Sequence, residues 1–134
     1  MGKTPGQKAA RVKGFKMSES EILRKIAVIF VTDVVGFSTL MAQNEELTLR
    51  SFRSCKEILD NLFEEHSGRI FNTAGDSVLA EFPSAVSAVI CAVEFQKLIK
   101  ARNASVPNAA QMQFRIGLNM GDVIIEGTNL YGDG

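Results

Sequence analysis

Hydrophobic and polar positions alternate between two rhythms along this chain. Ile26 to Thr32 is a near-continuous apolar, β-branched run of strand length, which predicts a strand covered on both faces. Before it, Ser18 or Ser20 is placed to cap a short helical lead-in reaching Lys25. After it, Gly36 breaks the run, and Asn44 with Glu45 and Glu46 has the form of a helix start. Phe52, Cys55, Leu59 and Leu62 then recur at steps of three and four, giving one apolar face as far as Phe63, with Gly68 as the stop. Arg69–Thr73 and Val78–Phe82 read as two short strands around a hairpin turn at Ala74-Gly75-Asp76. Ser84 caps a second long helix whose expected buried stripe is Ala85, Ala88, Val89, Ala92, Phe95 and Ile99. From Met112 to Met120 the alternation is strict, Met112, Phe114, Ile116, Leu118 and Met120 on one side and Gln113, Arg115, Gly117 and Asn119 on the other. Gly121-Asp122 is read as a turn into a fifth short strand, Val123–Ile125.

The order β-α-β-β-α-β plus one hairpin strand predicts an α+β fold of ferredoxin-like plan, with both helices on one face of an antiparallel sheet. In that plan the first and third strands are neighbours. Asp33, which ends the first strand, and Asp76, in the turn before the third, then meet at one edge although 43 residues separate them.

Composition narrows the class. A length of 134 residues, 46% hydrophobic content and a mean hydropathy of +0.07 describe one globular domain. No apolar run approaches the roughly 20 residues of a membrane-spanning helix. The net charge of zero hides an asymmetry. Residues 1–16 carry five basic residues and no acid, leaving ten basic against 15 acidic residues in the rest, a net of −5. With one aromatic residue, Phe15, among its five charges, the basic segment reads as a solvated leader over residues 1–21, not as a nucleic-acid binder. Cys55 and Cys91 lie singly within helical patterns and suit buried, reduced thiols, which favours a cytoplasmic setting. His66, the only histidine, is expected as a helix C-terminal residue and not as a ligand or base.

Two converging carboxylates repel unless a cation lies between them. Mg²⁺ takes oxygen ligands and borrows some from substrate phosphates, and the backbone N–H groups of Gly36-Phe37-Ser38 open a helical turn suited to phosphate oxygens. The plainer alternative is that Asp33 and Ser38 are caps and Asp76 a turn residue.

Four motifs bear on that choice. Phe30-Val31-Thr32-Asp33-Val34-Val35-Gly36-Phe37-Ser38, Gly75-Asp76-Ser77-Val78-Leu79-Ala80-Glu81-Phe82, Phe114-Arg115-Ile116-Gly117-Leu118-Asn119-Met120-Gly121-Asp122-Val123 and Tyr131-Gly132-Asp133-Gly134 occur in this order. Together they resemble the catalytic domain of class III adenylate/guanylate cyclases, bacterial branch, over residues 22–134. The resemblance implies a lyase of cyclic nucleotide signalling that forms 3′,5′-cyclic AMP and pyrophosphate from ATP, with GTP as the alternative substrate. It implies two Mg²⁺ or Mn²⁺ ions held by Asp33, Asp76 and the carbonyl of Val34, and terminal phosphates held around Gly36, Phe37 and Ser38. It also implies a composite site in a homodimer, or in a heterodimer with a full-length cyclase, the metal carboxylates coming from one chain and the base-reading residues from the other.

The chain departs from this pattern in two places. The lysine and aspartate usual at the purine-reading positions are replaced by Asn72 and Asn129, an amide pair able to donate and accept but without the customary charges. The asparagine and arginine that stabilise the transition state in the family are expected beyond Gly134, which makes an impaired nucleotide-binding or dimerisation module the alternative function. The helix expected to carry them would cover part of the sheet, so an exposed apolar patch is expected on residues 22–134.

Overall fold

The computed structural model describes residues 23–126 and 129–132, with side-chain detail over 26–122. The elements are β1 (Leu23–Val34), α1 (Phe37–Gln43), α2 (Glu45–Glu65), β2 (Arg69–Ala74), β3 (Ser77–Phe82), α3 (Ala85–Ala104), a 3₁₀ turn (Asn108–Ala110), β4 (Phe114–Glu126) and β5 (Asn129–Gly132). The strands form one antiparallel sheet in the order β2-β3-β1-β4-β5. The central β1 pairs with β3 on one side and β4 on the other, as the ferredoxin-like plan requires.

Local chemistry accounts for the helix starts. Asn44 accepts a hydrogen bond from the Leu47 N–H at 3.0 Å, with Glu45 and Glu46 in the positive first turn of α2. Ser84 does the same for Ser87 at 3.1 Å and opens α3. Cys55, Leu59, Leu62 and Phe63 of α2 are buried with Ala88, Cys91, Phe95 and Ile99 of α3. They pack on Val28, Phe30, Val34, Val78, Ala80, Phe82 and Phe114, which share one face of the sheet. Phe30, Phe63 and Phe82 form the aromatic centre, with ring centroids 5.2–5.6 Å apart. Both cysteines are free and buried.

Four expectations need correction. β1 begins at Leu23, so the helical lead-in does not reach Lys25; Ser18 and Ser20 lie outside the described residues. β1 is covered unevenly on its second face: Ala27 and Ile29 are buried there with Phe71 packed against them, whereas Val31 is 38% exposed. Gly121-Asp122 is not a turn. It stays in the ladder opposite Ala27 and Ile26, because the longer β1 supplies partners as far as Ile125, and the extra strand is β5 instead. On α3, Val89 and Ala85 face solvent while Cys91 is buried. Apolar residues surround this helix, so their spacing did not single out its inner face.

The expected exposed apolar surface is present. Val86, Val89, Ile90, Val93, Leu118 and Met120 are all more than a third exposed, and a groove of about 500 Å³ between α3 and β4 is lined by Ala92, Val93, Ile116 and Leu118. Among the described residues, no helix is long and apolar enough to cross a membrane.

Candidate active site

The pairing of β1 with β3 brings the β2–β3 turn to the C-terminal end of β1. Gly75 supplies the left-handed φ of +58° that this tight turn needs, and Asp76 follows it. The Asp76 carboxylate reaches over the end of β1 and accepts a hydrogen bond from the Val34 N–H, Oδ2 to N 2.8 Å. Asp33, Val34 and Asp76 therefore converge at one corner of the sheet, as the strand order predicted.

Asp33 has a partner that the motifs did not single out. β4 runs antiparallel to β1 with Arg115 directly opposite Asp33. The guanidinium grips the carboxylate with both prongs, Nε to Oδ1 at 2.9 Å and Nη2 to Oδ2 at 3.1 Å. This hydrogen-bonded pairing, and then the charge of Asp33, push Arg115 above its ordinary pKa. The register is pinned one residue earlier, where the buried Thr32 hydroxyl donates to the Arg115 carbonyl at 2.7 Å. At the start of β4, the Gln96 side chain of α3 donates to the Phe114 carbonyl at 2.9 Å. The sequence signal for Arg115 was its place on the outward side of the 112–120 alternation; only strand register gave it a target.

Past Val34 the chain turns into α1. Gly36 adopts a φ of +66°, and a Cβ there would meet nothing within 4 Å, so glycine answers to backbone conformation and not to crowding. Phe37 and Ser38 follow as the first residues of α1, which carries no side-chain cap and no acid in its first turn. The helical turn expected at Gly36-Phe37-Ser38 thus sits two residues from Val34.

The two asparagines are placed differently. Asn72 is exposed on edge strand β2, at a break in its register with β3, four residues before Asp76. It pairs with Leu79, itself opposite Val31, which puts Asn72 on the sheet face away from the helices. Asn129 opens β5 opposite Glu126. Along β4 that is 11 residues from Arg115, roughly 35 Å of extended strand. Within one chain, Asn129 and the carboxylate pair lie at opposite ends of the sheet.

As a donor set, this corner fits a hard divalent cation. It offers two carboxylates and main-chain oxygens, Asp33 is a third exposed, and among the described residues the cationic side chain on the pair is Arg115.

Fold and ordered motifs together mark this chain as a member of a known domain family. The family model for the adenylate and guanylate cyclase catalytic domain matches residues 18–129, and the chain belongs to that family. Among individual relatives, "Putative adenylate cyclase 3" of Rhizobium meliloti (strain 1021) is 40% identical over 119 residues, covering 88% of this chain and 20% of that protein. The chain therefore spans about a fifth of that relative's length. The crystal structure of an adenylate/guanylate cyclase/hydrolase from Silicibacter pomeroyi superposes with a TM-score of 0.72 at 33% identity, over 84% of this chain and 66% of that one. A bacterial light-regulated adenylyl cyclase, 20% identical, shares the fold with a TM-score of 0.74 over 84% of this chain and 36% of its own.

Proposed function

We propose that this chain is the catalytic domain, or the larger part of it, of an adenylate cyclase working at a site shared between two chains. The observation that carries the reading is the Asp76 carboxylate lying over the end of β1 beside Asp33. In the reaction the ribose 3′-oxygen bonds to the α-phosphorus while the bond from that phosphorus to the bridging oxygen of the β-phosphate breaks, releasing pyrophosphate.

Asp33, Asp76 and the Val34 carbonyl would hold the two Mg²⁺ or Mn²⁺ ions. When bound, such ions lower the pKa of the 3′-hydroxyl and neutralise the triphosphate. The Gly36-Phe37-Ser38 backbone faces the terminal phosphates. Arg115 supplies a guanidinium at the same corner, where a triphosphate offers it an anion other than Asp33. Asn72 and Asn129 read the purine in the site completed by the partner chain. The long separation of Asn129 from Asp33 supports a two-chain site, because one chain alone leaves its carboxylates without that residue. The adenylate cyclase relative supports ATP over GTP. Against this, an amide at position 72 in place of lysine favours a second reading, a nucleotide-binding or dimerisation module that regulates a complete cyclase.

Cyclic AMP and cyclic GMP formation with Mn²⁺ is the test, run with the chain alone and with a full-length homologue. Calorimetry with a non-hydrolysable ATP analogue accompanies it. Product that is lost in Asp33→Asn and Asp76→Asn supports catalysis. Metal-dependent binding without product supports a nucleotide-binding regulatory module, and folded protein with neither refutes catalysis and leaves only a dimerisation role.

A further inference from the structure

A second group of side chains, away from this corner, has a donor set of another kind. His66 caps the C-terminus of α2, Glu65 precedes it, and Glu94 comes from the middle of α3. One donor atom from each lies within 4.8 Å of the other two. His66 Nε2 is 3.3 Å from Glu94 Oε1 and 3.9 Å from Glu65 Oε1. Two ligands bound at about 2.0–2.1 Å to a tetrahedral ion sit roughly 3.3–3.4 Å apart, an edge length set by the bond length. The His66–Glu94 distance already matches that edge. Glu65, 69% exposed, lies 3.9 Å from His66 and within 4.8 Å of Glu94, and a change of its rotamer closes these gaps.

The backbone that carries the imidazole is held by its turn. The His66 N–H bonds the Leu62 carbonyl at 2.9 Å and the Gly68 N–H bonds the Phe63 carbonyl at 2.7 Å, while Ser67 adopts a φ of +66°. Gly68 lies directly against the Phe63 and Phe82 rings, so this backbone has no room to drift. The His66 side chain is 20% exposed, and Glu94 stands on a packed helix. The field at the site is negative. Cys91, one turn before Glu94, has its thiol pushed up to about 11, by burial first and then by Glu94 and Glu65. Two carboxylates beside one imidazole make a donor set whose negative charge a divalent cation would offset.

We propose that Glu65, His66 and Glu94 form a site for a borderline divalent metal of the Zn²⁺ class, fastening the end of α2 to α3 with a fourth position open to water. Imidazole with carboxylates suits Zn²⁺, whereas Mg²⁺ takes oxygen donors, so the site differs in preference from the Asp33–Asp76 corner. The proposal stands independently of the cyclase reaction.

Thermal melts and Zn²⁺ titration calorimetry on the full chain test it, in excess Mg²⁺ to occupy the hard-oxygen corner. Saturating Zn²⁺ is expected to raise the melting temperature by about 5 °C or more. His66→Ala abolishes that rise, Glu94→Gln weakens Zn²⁺ binding about tenfold or more, and Asp33→Asn leaves both intact. Co²⁺ gives a ligand-field absorption band in the parent chain and none in His66→Ala. Each comparison is made with and without metal in the same variant, and Glu94→Gln carries the test if His66→Ala fails to fold. No Zn²⁺ effect on the parent chain, an equal effect in the His66 or Glu94 variant, or loss of the effect in Asp33→Asn instead overturns the assignment.

Discussion

Replacing Asp76 with alanine removes two things at once, and they can be separated. One is a prospective metal ligand. The other is the acceptor, at 2.8 Å, for the N–H of Val34, itself only 2% exposed. A hydrogen bond to an ionised acceptor contributes about 1.5–3 kcal/mol, and a buried donor left without a partner costs about 1–3 kcal/mol. Asp76→Ala is therefore expected to destabilise the metal-free chain by about 2–3 kcal/mol. Asp76→Asn keeps an amide oxygen in reach of the same N–H and loses only the charge assistance, about 1 kcal/mol. At about 4 °C per kcal/mol for a domain of this size, the two variants melt about 8–12 °C and about 4 °C below the parent. The assay is thermal or urea unfolding in EDTA, repeated with Mn²⁺. Both variants should lose any Mn²⁺-induced stabilisation, while only alanine shows the large loss in EDTA. Equal losses in EDTA, or none for alanine, would refute the reasoning that the carboxylate is structural as well as chemical.

Other substitutions probe the scaffold and its response to pH. A Cβ at Gly68 would lie 2.6 Å from the Phe82 ring and 2.9 Å from that of Phe63, so Gly68→Ala costs about 2 kcal/mol by overpacking. A Phe82→Leu background should relieve part of that cost in a double-mutant cycle of urea midpoints. Asn44→Ala and Ser84→Ala each remove an N-cap and lower stability by about 1 kcal/mol, additively, because the caps serve different helices. The Cys91 thiol is raised from 9.0 to about 11, so between these values the unfolded chain has lost a proton that the folded chain keeps. Stability from this group is complete below about pH 9 and falls as pH rises toward 11. Urea midpoints across that range should flatten in Cys91→Ala.

Much of the scaffold was legible because its signals are local. Asn44 and Ser84 marked helix starts by side chains that bond the first turn, and Gly75-Asp76 marked a hairpin by its backbone demands. From those elements the strand order followed, and with it the meeting of Asp33 and Asp76. What escaped depended on pairings between distant segments. The partial exposure of Val31, beside the buried Ala27 and Ile29 on the same face, depends on where Phe71 of another strand packs, which periodicity in β1 does not report. The persistence of β4 through Gly121 depends on Ala27 standing opposite. The grip of Arg115 on Asp33 depends on a register set 82 residues away.

That separation also has a consequence in time. Every pairing that brings Asp76 to Val34 is complete in sequence by Phe82, whereas Arg115 arrives 33 residues later. At roughly 5–20 residues per second, a ribosome adds those residues in roughly 2–7 s. For that interval the nascent hairpin and β1 can meet with two facing carboxylates and no guanidinium between β1 and the missing β4. The corner gains its guanidinium only once β4 has been added, so the β1–β4 pairing also halves the charge of the carboxylate pair.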